Sequence, residues 1–105
     1  MANQTMTIQM VNYGTKAELL LNGRLDSNTA DESERIFMQA SEQFDRIVLN
    51  LANMDYISSA GLRIIKRLHM TMKKKNGSMA IKNANRMVME VFEMTGFVAL
   101  FEFEQ

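Results

Sequence analysis

The sequence predicts a single α/β domain: a mainly parallel sheet with an antiparallel N-terminal strand, and helices as crossovers. Three observations carry this. Short apolar or alternating runs rich in β-branched residues trade places with stretches whose apolar residues recur every three or four positions. The run "RIVLNL" at 46–51 is almost continuously apolar, which suits a strand buried on both faces of a parallel sheet. The 105 residues contain no proline and no Ser/Gly-rich linker, so nothing divides the chain, and its length suits one core.

The elements follow in order. Thr5–Val11 alternates, with Met6, Ile8 and Met10 on one side and Thr7 and Gln9 on the other. "NYGTK" turns the chain into a second strand, Lys16–Asn22, so the two form a hairpin. Thr29 and Glu32 have capping-box spacing ahead of a helix over Thr29–Gln43. Its inner stripe is Ala30, Ile36, Phe37, Ala40 and Phe44, while Asp31, Glu34, Arg35 and Glu42 face water. After strand 46–51 the segment "ANMDYI" reads as a short loop. A helix from Ser59 to Lys75 carries Leu62, Ile65, Leu68 and Met72 inward. "KKKNG" closes it, with lysines at the negative end of the helix dipole and Gly77 as a left-handed cap. "SMAIK" at 78–82 is a strand. Asn83–Thr95 is a helix with Val88, Val91 and Phe92 inward, stopped by Gly96, and Leu100, Phe101 and Phe103 mark a last short strand. The expected core comprises Ile47, Val48, Leu49, Leu62, Ile65, Leu68, Val88 and Phe92.

Composition removes several function classes. Lys+Arg and Asp+Glu each number 12, so there is no basic excess for nucleic acid. Absence of cysteine excludes disulfides, thiol catalysis and thiolate metal sites. The N-terminus shows no basic segment followed by an apolar one, and no apolar run approaches the ~20 residues of a membrane helix, so a cytoplasmic protein without membrane insertion is expected. The eleven methionines fall mostly on expected core stripes.

Chemistry concentrates in "DYISSAGLR", residues 55–63, where a helix begins after a strand. In parallel sheets such junctions expose unpaired helix N–H groups. One of Ser58 and Ser59 serves as the N-cap. A glycine in the first turn costs about 1 kcal/mol of helix propensity against alanine. Gly61 therefore implies close approach, by a packed neighbour or an outside body. A hydrolase is disfavoured. The pattern G-x-S-x-G is absent, and the sole histidine, His69, lies ten positions beyond Ser59, about 15 Å along the helix. His69 reads as a partly exposed helix residue. Asp26 and Asp55 lack a third ligand for a metal, and no cofactor or metal is implied. A phosphoacceptor serine fits better: it needs only an accessible, positioned hydroxyl, and a helix N-terminus favours the phosphate formed there.

Three segments, "NGRLDSNTADE", "RIVLNLANMDYISSAGLRII" and "MVMEVFEMTGFVALFEF", resemble the STAS domains of the anti-sigma factor antagonist family over essentially the whole chain. The resemblance implies partner switching. The unphosphorylated antagonist binds an anti-sigma factor that is also a serine kinase, is released when phosphorylated, and is reset by a serine phosphatase. Aligned through Gly61 and Leu62, the phosphoacceptor falls on Ser59, with Ser58 as the alternative. Asp26 falls on the family's aspartate beside the phosphorylation site, and Ser58 stands where many members have aspartate. Partner contacts are expected from Asp26, Met54, Tyr56, Ser58, Ser59, Gly61 and Arg63, Met54 and Tyr56 through the preceding loop. A STAS subunit of another sensory or lipid-transport assembly, using the same surface, is the alternative function.

Overall fold

The computed structural model describes residues 6–104. Strands β1 (Met6–Asn12), β2 (Lys16–Leu25), β3 (Arg46–Ile57), β4 (Ser78–Lys82) and β5 (Glu102–Glu104) alternate, after the first pair, with helices α1 (Ala30–Gln43), α2 (Ser59–Lys74) and α3 (Arg86–Thr95). A short 3-10 turn, Phe97–Ala99, follows α3. The sheet order is β1-β2-β3-β4-β5, with β1 antiparallel to β2 and every other pair parallel. The predicted fold class is the one observed. Thr5, included in the predicted first strand, lies outside the described residues.

The hairpin turns at Gly14, whose φ of 93° lies in the left-handed region, and Gly14 N–H donates to Asn12 Oδ1 at 2.8 Å. With strands in sequential order, right-handed crossovers bring the helices to one face of the sheet. That face supplies Ala17, Leu19, Leu21, Ile47, Leu49, Leu51, Met79 and Ile81 to a core closed by Phe37, Leu62, Ile65, Leu68, Val88 and Phe92. All eight expected core residues are buried. Among the described residues the other face carries no helix. Val48 and Ala80 are nevertheless buried there, in one cross-strand row between Glu18 and Glu102. Polar side chains span this face: Asn50 Nδ2 donates to Glu18 at 2.8 Å, and Arg46 donates to Ser78, Glu102 and Glu104. Ile47–Leu49 are thus buried on both faces as expected, but side chains cover one of those faces.

Several local expectations are corrected. Thr29 forms no capping box: its hydroxyl donates to Arg24 O at 2.8 Å and accepts from Asp26 N–H, while Glu32 pairs with Arg35. The helix therefore starts at Ala30, and Thr29 fastens the preceding turn. The left-handed residue closing α2 is Asn76 (φ 63°), not Gly77. Gly77 N–H donates to Met72 O at 2.7 Å and Asn76 N–H to Lys73 O at 3.0 Å, the paired bonds of a Schellman ending. Gly77 is required for space, since a Cβ there would lie 2.5 Å from Asp45 O. Helix α3 begins at Arg86, three residues later than Asn83, because Asn85 Oδ1 accepts from Val88 N–H at 2.9 Å and fixes the cap there. Its stop at Gly96, with φ 82°, is as expected. The last strand is Glu102–Glu104, and Phe101 precedes it in the core against Phe92 and His69. His69 is buried at 9% exposure, with no hydrogen-bond partner for either ring nitrogen among the described residues. Of the methionines, Met54, Met72 and Met79 are buried, whereas Met10, Met70, Met87 and Met94 are exposed.

The largest departure is β3. "ANMDYI" is not a loop but the continuation of the strand to Ile57. Against β2 the register slips twice, between Leu20 and Asn22 and between Gly23 and Arg24, and β3 carries the extra residue each time. Each bulge inverts the alternation, so the inward positions run Leu51, Met54, Ile57 at intervals of three. Period-2 reading fails there, and Met54 is carried into the core.

Candidate functional site

The C-terminal ends of β2 and β3 meet the start of α2, and backbone bonds fix the junction. Ser58 N–H donates to Leu25 O at 2.9 Å, tying the entry of α2 to the end of β2. Gly61 sits over the same carbonyl. A Cβ on Gly61 would lie 2.8 Å from Leu25 O, 2.8 Å from Leu25 Cγ and 3.0 Å from Ile57 Cγ1. The close approach that the glycine implied is therefore internal: α2 packs on the ends of two strands. Asn85, at the start of α3, donates through Nδ2 to Met54 O at 3.0 Å and holds β3 from its other side.

The two serines divide their tasks. Ser58 is the N-cap, in extended conformation, and its Oγ accepts from Gly61 N–H at 3.3 Å. Its carbonyl accepts from Leu62 N–H at 2.9 Å. Ser59 is the first helical residue, is exposed, and its hydroxyl has no hydrogen bond among the described residues. The amides of Ser59 and Ala60 precede the first intrahelical bond, so they point outward at the positive end of the helix dipole. A free hydroxyl thus stands beside free N–H donors.

Around this point the turn after β2 is tightly organised. Asp26 Oδ1 accepts from Asn28 N–H at 2.9 Å, Oδ2 accepts from Arg24 Nε at 3.4 Å, and its side chain is 13% exposed. The Arg24 guanidinium lies 4.3 Å from the Tyr56 ring centroid, a cation–π stack across the β2–β3 pair, in which these residues are register partners. Tyr56 is 38% exposed and Arg63 is exposed on the first turns of α2. The structure gathers Asp26, Tyr56, Ser58, Ser59 and Arg63 at this end of the sheet. Two expected contact residues are corrected. Met54 is 1% exposed and Gly61 is buried, so both support the site from beneath and offer no side chain to a partner. Arg24 and Asn85 are the residues that sequence reasoning missed. The alternating polar position in "NGRLD", two before Asp26, could have found Arg24; nothing local marks Asn85 as more than a cap.

The sole histidine does not reach the serines. His69 lies on the same helix about 15 Å along its axis, buried against Phe101 with ring centroids 5.4 Å apart. Burial, and then the charge of Lys73, hold its pKa below the usual histidine value. Among the described residues no group of three His, Cys, Asp or Glu is placed to hold a metal ion, and no helix is long and apolar enough to cross a membrane.

The family model described as the STAS domain matches residues 8–105, and the chain belongs to that family. Within the family it resembles anti-sigma factor antagonists. It is 34% identical over 82 residues, covering 77% of this chain and 71% of the other, to a Bordetella bronchiseptica protein named "Putative anti-sigma factor antagonist BtrV". It is 30% identical over 96 residues, covering 87% of this chain and 80% of the other, to the anti-sigma F factor antagonist of Paenibacillus polymyxa. Among solved structures, the fold matches the anti-sigma factor antagonist SpoIIAA in its unphosphorylated form with a TM-score of 0.81 at 16% identity, over 94% of this chain and 89% of that one. The phosphorylated form of the Bacillus SpoIIAA matches with a TM-score of 0.74 at 15% identity, over 94% and 92% of the two chains.

Proposed function

We propose that this protein is an anti-sigma factor antagonist that works by phosphorylation-controlled partner exchange. Unphosphorylated, it binds an anti-sigma factor that is also a serine kinase. Phosphorylation of Ser59 ends the complex, and a serine phosphatase restores the hydroxyl. The supporting observation is the division between the serines: Ser58 Oγ is engaged in the cap, whereas Ser59 Oγ is exposed at the helix N-terminus. In the transfer, Ser59 Oγ attacks the γ-phosphorus of ATP, the bond to the β-phosphate oxygen breaks, ADP leaves, and the hydroxyl proton passes to a base on the kinase. The antagonist supplies only a positioned acceptor. The phosphatase step adds water and returns serine and inorganic phosphate.

The phosphate brings about −1.5 to −2 charges to a site rich in free N–H donors, so it should not unfold its own domain. Release therefore arises across the interface, as clash and repulsion against the partner. The contacting surface comprises Asp26, Tyr56, Ser58, Ser59 and Arg63. Mass spectrometry after incubation with the cognate kinase and ATP tests the assignment. Wild type and Ser58→Ala should be modified on Ser59. Ser59→Ala should bind the kinase and resist modification, and Ser59→Asp should bind poorly. Phosphate on Ser58 of the wild type, with Ser59→Ala modified as fast, would move the acceptor to Ser58.

A further inference from the structure

Helix α2 has no acidic residue anywhere between Ser59 and Lys74. Its exposed positions beyond the first turn are Arg63, Lys66, Arg67, Met70, Lys73 and Lys74. At 3.6 residues per turn these fall within an arc of about 120° that runs the length of the helix. Arg67 pairs with Glu34 of α1. No ion pair among the described residues involves Arg63, Lys66, Lys73 or Lys74.

The helix dipole accounts for Lys73 and Lys74 in the last turn, but it gives no reason for cations at Arg63 and Lys66 in the first half. Like charges three and four apart repel on a helix surface, and among the described residues Arg67 is the one cation of the stripe with an acidic partner. The neighbouring helices are built differently. Both signs of charge occur on α1, where Glu32 pairs with Arg35, and on α3, which carries Arg86, Glu90 and Glu93. The chain as a whole has zero formal net charge, so the stripe is a local segregation and not a general basic bias. Met70, 45% exposed, sits in its middle as an adaptable apolar contact framed by charge.

We infer that this stripe docks an acidic face of the anti-sigma factor, along α2 from Arg63 to Lys74. The inference rests on the partner-exchange reading above and adds the chemistry of the partner's surface. It also supplies a physical cause for release. Ser59 and Arg63 stand one turn apart on one helix, so a phosphate on Ser59 places like charge against the acidic face and draws Arg63 into its own pairing.

The test uses the full chain and the purified serine-kinase anti-sigma factor from the same genome, titrated in low and moderate salt. Wild-type affinity should fall steeply with salt. The double reversal K66E/K73E, remote from the serines, should weaken binding at low salt by roughly tenfold or more and flatten the salt dependence. The neutral pair K66Q/K73Q should fall between them, and it replaces the reversal should circular dichroism show that K66E/K73E does not fold. Equal, salt-insensitive binding by wild type and the folded variants would overturn the stripe while leaving partner exchange intact. Failure of the wild type to bind the anti-sigma factor would overturn both. Charge-dependent binding to phosphatidylserine vesicles or duplex DNA, with unchanged affinity for the anti-sigma factor, would overturn the assigned occupant.

Discussion

Gly61→Ala separates two explanations for the glycine in the first turn of α2. If the glycine only admitted an outside body, alanine would be tolerated in the free protein and would improve helix propensity by up to about 1 kcal/mol. The structure gives the opposite sign. The new Cβ would meet Leu25 O and Leu25 Cγ at 2.8 Å each and Ile57 Cγ1 at 3.0 Å. One of these atoms is backbone, held by its bond from Ser58 N–H, so relief requires α2 to move off the strand ends. Overpacking of this kind costs about 1–3 kcal/mol, and a backbone obstacle places it toward the upper end. Less the propensity gain, a net loss of about 1–2 kcal/mol remains. With a urea slope of roughly 2 kcal/mol per molar for a small domain, the midpoint should fall by about 0.5–1 M. Urea titration followed by circular dichroism measures it. An unchanged or raised midpoint would show that Leu25 and Ile57 do not confine this position.

Three further outcomes are expected. Leu49→Ala and Leu68→Ala, both at fully buried positions, should each cost about 2–5 kcal/mol in the same titration. Gly96→Ala should cost about 1 kcal/mol from left-handed strain alone, since φ is 82° and no atom lies within 4 Å of the new Cβ. His69 should make stability depend on pH. Its folded pKa is lowered by burial, so the unfolded chain takes up the proton first; the contribution is present above the ordinary value of 6.5 and is lost as pH falls below it. The urea midpoint should decline between about pH 7 and pH 5.5. His69→Phe should flatten that decline, because His69 is the sole histidine.

The legible parts of the fold were those where one local rule acts alone. Strands β1 and β2 and the inward stripes of α1 and α2 follow periods of 2 or 3.6, and the apolar residues read as inward are buried or half-buried, except Met10 of β1, which is exposed. The reading failed where tertiary contacts choose between local options. Thr29 had the right neighbour for a capping box, but the turn after β2 offered its hydroxyl a better acceptor in Arg24 O. The bulges of β3 are set by pairing with β2, 30 to 32 residues away in sequence, so "ANMDYI" lost its alternation and Met54 its core label. Arg24 joins the site through a stack on Tyr56 that the β2–β3 register creates.

The adjacent serines show why one small hydroxyl would not suffice. A serine that caps a helix holds its oxygen against the first-turn amides, and that bond contributes about 1 kcal/mol to stability. Modifying the same oxygen would replace the cap with a bulky dianion and shift the turn that Gly61 packs so closely on Leu25. Here Ser58 carries the cap and Ser59 projects into solvent one residue later. On the proposed reading, a phosphate could then be added and removed at Ser59 while Ser58 keeps the helix seated on β2 and β3. The energy of modification would be expressed at the partner surface, beside Arg63 and the basic stripe, instead of in the stability of the domain. A switch that must cycle many times needs this separation, because its two states have to be equally well folded and differ only in what they bind.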